Sequence, residues 1–536
     1  MDPAGRVMTR RYVLMNVVII TSATIFALDI LHFRPRPLTV QDKAVGILLV
    51  LMGVYTQTEL RGWHQYYNKN AQNGCAPMPV YPNDTFGIRY FLEAVRQVKA
   101  NALLESRQQR LKDLGHTFVH KLFPEPGLCV DTDEPEIVKT ILATNFEDWI
   151  IPEVRVRGML PVLGYHSIFT TNGPEWQHAR AMLRPAFVRD QISDIQCFDR
   201  HVSKLIDRIP KDGSPFDLQA LFAMLTIDSI SDLMLGQSTD ILGAASPEAL
   251  EFGACFDRSV FKIAYRVRLG WLSQLLPDRE LDADVGYMRK YVAQYVQNVK
   301  GQTEKDVQNG GQKYVFLHEL IKTGEPDEVV RDQSLSIFLA GRDTTTSVLT
   351  YLFFELSRNP GVVAKIQREI QDLGEHDPSW EQLRAMKYLN WAIKEALRLN
   401  PPVATNAREA VRDAILPAGG GLNGKSPTFV PKGTIVRYHP WSMQRREDIY
   451  GNDANEFRPE RWEDLKVTVQ YLPFNAGPRI CIGQQFALTQ MALITFRLLQ
   501  AFNTIERKDE RPPVRKLGVN TSMLYGCWVS MHRGPE

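Results

Sequence analysis

The segment Phe474-Asn475-Ala476-Gly477-Pro478-Arg479-Ile480-Cys481-Ile482-Gly483 constrains this chain more than any other ten residues. It places one cysteine between two glycines, just before an apolar run to Phe502 whose composition predicts a helix. A sulfur at a helix start is surrounded by unpaired backbone N–H groups and a positive helix terminus, which favour its thiolate form. Gly477 and Gly483 let the backbone pass close to a flat macrocycle, Phe474 can cover the sulfur, and Arg479 can pair with a carboxylate. These features suit a thiolate ligand to haem iron. The bland alternative, a cysteine acting as a small buried hydrophobe, explains the sulfur but not its neighbours.

The rest of the composition removes other classes. With 536 residues and 44% hydrophobic content the chain can bury a large core. A formal charge of +2 offers no basic excess for nucleic acid. The six cysteines have no C-x-x-C spacing, which argues against a disulfide scaffold or a structural zinc site.

Tyr12 to Phe33 is a mostly apolar stretch between Arg11 and Arg34, and as a helix it would span ~33 Å, enough to cross a bilayer. No small-residue cleavage site follows it, so an anchor is expected rather than a signal peptide. A second apolar run, Ala44 to Thr58, reaches only ~22 Å and is short for a span. Residues 1–60 are therefore read as a membrane anchor, 61–84 as a hinge rich in proline (Cys75 to Pro82), and 85–536 as the catalytic body. Insertion of both runs as a hairpin would keep the body in the cytosol, where the sequons Asn83-Asp84-Thr85 and Asn520-Thr521-Ser522 stay unmodified.

Most of the body reads as helix: Thr85 to Leu114, Phe187 to Ile209, Phe216 to Leu235, Pro247 to Phe261, Leu281 to Asp306 and Glu328 to Ser357. A β-rich stretch from Arg408 to Tyr438 contains Thr428 to Val430 and Thr434 to Tyr438, joined by a Pro-Lys-Gly turn. Gly419 to Gly424 is read as a turn and not a phosphate loop, because a strand instead of a helix follows it.

Two more motifs carry chemistry. Ala340-Gly341-Arg342-Asp343-Thr344-Thr345 interrupts the longest apolar helix with glycine and polar residues, a local violation that invites a functional reason. Ala340 and Gly341 would let the helix approach a cofactor, and Thr344 would disturb the backbone ladder. Glu395 and Arg398 share a helical face, and Arg461 of Phe457-Arg458-Pro459-Glu460-Arg461-Trp462 is placed to close a buried triad with them.

With these motifs in this order, residues 85 to 530 resemble the cytochrome P-450 superfamily of haem-thiolate monooxygenases. The resemblance implies a mainly α fold with a small β-rich subdomain, haem lying between the long central helix and the cysteine loop. It implies that Cys481 ligates iron, that Trp176 and Arg180 of Trp176-Gln177-His178-Ala179-Arg180, together with Arg408 and Arg479, contact haem propionates, and that Phe474 and Ala340 line the cofactor. Asp343 and Thr344 are the expected proton-delivering pair. Arg184-Pro185-Ala186-Phe187, Arg331-Asp332-Gln333-Ser334 and Leu416-Pro417-Ala418-Gly419 look most like fungal microsomal n-alkane and fatty-acid hydroxylases. Some animal relatives carry a glutamate at the Ala340 position that esterifies the cofactor, so haem b is expected here without a covalent bond.

The implied partners are dioxygen, a hydrophobic substrate, the membrane and an NADPH-cytochrome P-450 reductase, with Arg445, Arg446 and Arg479 near its docking face and no nucleic acid. The implied location is the endoplasmic reticulum membrane, catalytic body toward the cytosol. Ser336, Ile337, Ala340, Val403 to Thr405 and Thr521 to Met523 are expected to face the substrate, and Pro247 to Asp278 to form a lid. Terpenoids or polycyclic aromatics are the alternative substrates. A haem-thiolate isomerase or dehydratase and a haem carrier without turnover are the rival functions, against which Asp343 and Thr344 argue.

Overall fold

A computed structural model describes residues 40–82, 84, 86–125, 127–187, 196–301, 316–374, 377–421 and 423–534. The expected span Tyr12 to Phe33, Asn83 and Thr85 of the first sequon, and parts of two expected helices (188–195 and 302–306) lie outside the described residues. The chain divides into two compact units.

The first unit takes the chain up to Arg96, Gln108–Ile150 and Ala407–Tyr438. Helix α1 runs unbroken over Val40–Gln72, so residues 61–72, assigned by sequence to the hinge, continue the second apolar run as helix. Leu60, Trp63, Tyr66 and Asn70 of α1 are buried. The Asn70 side chain receives the Phe429 N–H at 2.9 Å and donates to Phe429 O at 3.3 Å, which fixes the helix end to a strand. The second helix, α2, covers Ile88–Lys99; the expected continuous helix to Leu114 is broken where Asn101 takes a φ of 52°.

Strands β1 (Thr117–Lys121), β2 (Leu128–Thr132), β3 (Trp149–Ile150), β4 (Asn406–Ala410) and β7 (Ile435–Tyr438) form one sheet in the order β1-β2-β7-β4-β3. β5 (Ala414–Gly420) and β6 (Ser426–Val430) form a separate antiparallel pair, in agreement with the turn reading of the glycine-rich segment. The two strands expected around Pro-Lys-Gly are thus consecutive but belong to different sheets. Turn residues report chain reversal and not pairing, so the sequence could not separate the two cases.

The second unit comprises Gln97–Arg107, Ile151–Asn406 and His439–Glu536 and is mainly helical. The helices that position the site are α3 (Gly173–Leu183), α4 (Leu218–Leu235), α5 (Pro247–Leu269), α6 (Asp327–Leu356), α7 (Lys387–Leu399) and α8 (Gln484–Ala501). α4 is capped by Asp217, whose Oδ1 accepts the Gln219 N–H, and ends at Gly236 with a φ of 72°. It is the one helix among the described residues long and apolar enough to cross a membrane, and most of it is buried in the core of this unit. A helix apolar on all sides belongs in a core or a bilayer, and here packing against α6 resolves the choice.

The motif glycine of α6 serves that packing. A Cβ on Gly341 would lie 2.7 Å from Ile230 Cδ1 of α4. This corrects the expectation that Gly341 clears space for a cofactor; its missing side chain admits a neighbouring helix.

Candidate active site

α6 shows where the unit opens. From Asp332 to Phe354 every residue is buried except Ala340, Gly341, Asp343, Thr344 and Thr346. Residual exposure confined to the middle of a buried helix marks the wall of an internal cleft. α6 remains α-helical through the motif, and the Thr344 hydroxyl donates to Ala340 O, four residues back, at 2.7 Å. Such a back-bond competes mildly with the backbone ladder, as expected of Thr344, without breaking the helix, and the hydroxyl lone pairs are left to accept from the open side.

Asp343 is tied to its neighbour. Arg342 Nη1 lies 3.2 Å from Asp343 Oδ1, while Nη2 donates to Asp257 Oδ2 of α5 at 3.1 Å and Nη1 donates to Asp257 Oδ1. Arg342 is buried and Asp257 exposed, so one fixed cation joins a surface carboxylate to an inner one. Burial raises the Asp343 pKa, Arg342 pulls it back and Asp257 pushes it further up. Asp343 is consequently a better proton holder than an ordinary aspartate. Sequence reasoning did not find Asp257, because nothing in α5 shows which of its carboxylates meets α6.

The cysteine loop lies in the same unit. Asn475 and Gly477 have φ of 65° and 69°, and the loop closes through Cys481 N–H to Phe474 O at 2.9 Å and Ile480 N–H to Gly477 O at 3.0 Å. Cys481 is exposed by surface area yet enclosed at depth, the combination expected of a residue lining a cleft. Burial pushes its thiol pKa up, whereas the Gly483 N–H and the Arg180 charge lower it. Phe474 packs half-buried against the core beneath the loop.

Two arginines and one indole adjoin this loop. Arg180 Nη1 donates to Ile480 O at 3.0 Å, and the Arg479 guanidinium sits over the Trp176 ring, 4.5 Å from its centroid. Arg479 Nη2 also donates to Thr171 O at 2.5 Å. The structure therefore gathers Trp176, Arg180, Phe474, Arg479 and Cys481 and, on α6 of the same unit, provides the opening at Ala340, Asp343 and Thr344. Arg408 lies on β4 in the first unit, 2% exposed, with its Nε lacking a hydrogen-bond partner among the described residues. An unpartnered buried guanidinium N–H is costly unless an acceptor satisfies it, as a propionate would.

The loop rests on the expected triad. Glu395 takes Arg398 through Nε at 2.9 Å and Nη2 at 2.8 Å, Arg461 Nε at 3.2 Å and Trp462 Nε1 at 3.0 Å. Arg398 carries the network on to Gln444 O at 2.7 Å and Ala454 O at 2.6 Å. Gln444 is fully buried, donating to Arg398 O at 2.8 Å and accepting the Leu472 N–H at 2.6 Å. It braces the segment leading to the cysteine loop, a role its sequence position alone did not reveal.

Several expected surfaces are corrected. Arg445 is 7% exposed and donates to Leu399 O, and Arg446 pairs with Asp448 at 2.6 Å, so neither is a free docking charge. Ser336 faces no substrate; its hydroxyl donates to Ser167 Oγ at 2.7 Å and Asp332 O at 2.6 Å. Ile337 belongs to the buried core. Within the expected lid, Phe252 and Phe256 are core, whereas Phe261, Tyr265 and Trp271 are exposed. Alternation along a helix could not assign them individually.

Comparison with known proteins agrees with this arrangement. The family model described as Cytochrome P450 matches residues 89–524. The chain is 36% identical over 504 residues to Cytochrome P450 monooxygenase fsdH of Fusarium heterosporum, covering 91% of this chain and 88% of that protein. It is 39% identical to Cytochrome P450 monooxygenase himC of Aspergillus japonicus, over 85% of this chain and 84% of that one. Its identity to Cytochrome P450 52A1 of Candida tropicalis is 40%, over 75% and 78% of the two chains.

Proposed function

The chain belongs to the cytochrome P450 family and is a monooxygenase, and from that premise we propose that it hydroxylates long apolar molecules of the n-alkane and fatty-acid class. Its electrons come from a membrane-bound NADPH reductase, and the body faces the cytosol from the endoplasmic reticulum membrane through the segment 1–60. The proline-rich residues 73–82, after the end of α1, continue from this anchor into the catalytic body.

Cys481 would be the iron ligand in this reading, and Trp176, Arg180, Arg408 and Arg479 would hold the propionates. Phe474 and Ala340 would flank the macrocycle, and the alanine, having no carboxylate, would leave haem b bound without an ester. Bound there, haem would supply dioxygen activation, which a thiolate ligand favours over reversible oxygen carriage. The chain's own residues supply protons and exclude water. Asp343 holds a proton on its carboxyl, kept in place by Arg342, and Thr344 orients a hydrogen-bond donor, such as a proton-carrying water, through its lone pairs. Arg342 stays charged throughout and positions Asp343 without passing a proton itself.

The observation that carries this reading is the confinement of residual exposure between Asp332 and Phe354 of α6 to Ala340, Gly341, Asp343, Thr344 and Thr346. The substrate class rests on the resemblance of Arg184-Pro185-Ala186-Phe187 and Arg331-Asp332-Gln333-Ser334 to n-alkane and fatty-acid hydroxylases. The test is a carbon monoxide difference spectrum of the reduced full-length protein, then spectral titrations with alkanes, fatty acids, steroids and polycyclic aromatics. Reductase-dependent NADPH oxidation with hydroxylated alkane or fatty acid as product is expected. Turnover without reductase or dioxygen would overturn the hydroxylase reading, and selective binding of steroids or polycyclic aromatics would overturn the substrate class.

A further inference from the structure

One face of the five-stranded sheet carries a cluster that haem chemistry does not use. His120 of β1 stands opposite Cys129 of β2, and Asp131, two residues further on β2, stands opposite Arg437 of β7. Residues two apart on a strand share a face, so the hairpin register itself brings imidazole, thiol and carboxylate together. The three ligand atoms lie within 4.8 Å of one another, and all three residues are buried. Nε2 of His120 is 3.1 Å from Oδ2 of Asp131. Ligand atoms around a tetrahedral zinc, with bonds of about 2.0–2.3 Å, stand roughly 3.3–3.8 Å apart, so a small closure of the cluster suffices.

The surrounding bonds orient these atoms as outer partners orient metal ligands. His120 Nδ1 is 2.7 Å from Lys121 O, which can only accept, so Nδ1 carries a proton and Nε2 points at the cluster. The Tyr90 hydroxyl donates to Asp131 Oδ2 at 2.5 Å, and its ring stacks on His120 with centroids 3.9 Å apart. Arg437 Nη2 donates to Cys129 Sγ at 3.4 Å.

We propose that His120 Nε2, Cys129 Sγ and a carboxylate oxygen of Asp131 bind a zinc ion, separate from the haem iron. A mixed nitrogen, sulfur and oxygen donor set selects zinc over magnesium or calcium. A thiolate Sγ and the Asp131 carboxylate bring two negative charges to the zinc dication while Nε2 binds as a neutral imidazole, so cluster and ion together are neutral and the fixed cation Arg437 meets no net charge. The absence of paired cysteines in the sequence spoke against structural zinc, but these ligands come from adjacent strands and only one is a cysteine.

The test uses full-length, haem-loaded protein purified in detergent and dialysed against chelator. About one zinc per haem iron is expected by elemental analysis, or is restored by adding zinc to stripped protein, with release of protons. Cobalt substitution should give a thiolate-to-cobalt absorption band, and X-ray absorption at the zinc edge should show one sulfur neighbour. Cys129→Ser and Asp131→Asn should each weaken zinc binding at least about tenfold, while Cys527→Ser, outside the cluster, should not. Wild-type protein that takes up less than about a tenth of an equivalent of zinc and shows no cobalt band would overturn the proposal, whether or not the variants fold.

Discussion

Glu355 offers a quantitative test of the packing around α6. It lies in the last turn of that helix, and burial pushes its pKa from 4.5 up to about 7, against the opposing pull of Arg358, Arg445 and Arg515. Because the folded-state value is the higher one, the protonated side chain is favoured by folding. That contribution is fully present below about pH 4.5 and is lost as pH rises through about 7. Each pKa unit corresponds to about 1.4 kcal/mol, so the span amounts to about 3 kcal/mol as an upper limit. Glu355→Gln keeps the neutral shape and removes the titration. Relative to wild type, the variant should gain up to about 3 kcal/mol between about pH 5 and pH 8. Urea unfolding of the haem-loaded protein, followed by far-ultraviolet circular dichroism across that range, measures it. Stability curves for the two proteins that run parallel within about 0.5 kcal/mol would refute the reasoning.

Thr344→Ala should retain NADPH oxidation but release hydrogen peroxide in place of product, measured as the ratio of product to NADPH consumed; fully coupled turnover would remove Thr344 from proton delivery. Cys481→Ser should abolish the carbon monoxide signature of thiolate-ligated haem, and a native spectrum would sink the ligand assignment. Glu395→Gln leaves two buried guanidinium groups short of charge and should cost about 3–5 kcal/mol, seen as loss of folded haem protein; an unchanged urea midpoint would contradict the role given to the triad. Gly164→Ala forces a residue at a φ of 79° to place its Cβ 2.1 Å from the Asp332 carboxylate, and should destabilise by at least about 1–3 kcal/mol in the same assay.

Local pattern made much of this protein legible. The cysteine loop is readable because glycines, an arginine and a sulfur have separate physical tasks at fixed spacing. The long helix is readable because so long an apolar run has little other outcome, and the observed bounds Asp327–Leu356 lie within one residue of those expected. Its polar motif is readable as a broken rule, and the Glu395–Arg398 pair follows from helical spacing. None of those signals names a partner in another element. Tertiary structure alone assigned Gly341 to Ile230, Arg342 to Asp257, Ser336 to Ser167 and Gln444 to the strut beneath the cysteine loop. The same holds for His120, Cys129 and Asp131, whose meeting depends on strand register, and register is set by turn geometry and by which face is buried. Spacing along a chain determines which side chains share a face, whereas what that face touches is decided by long-range packing.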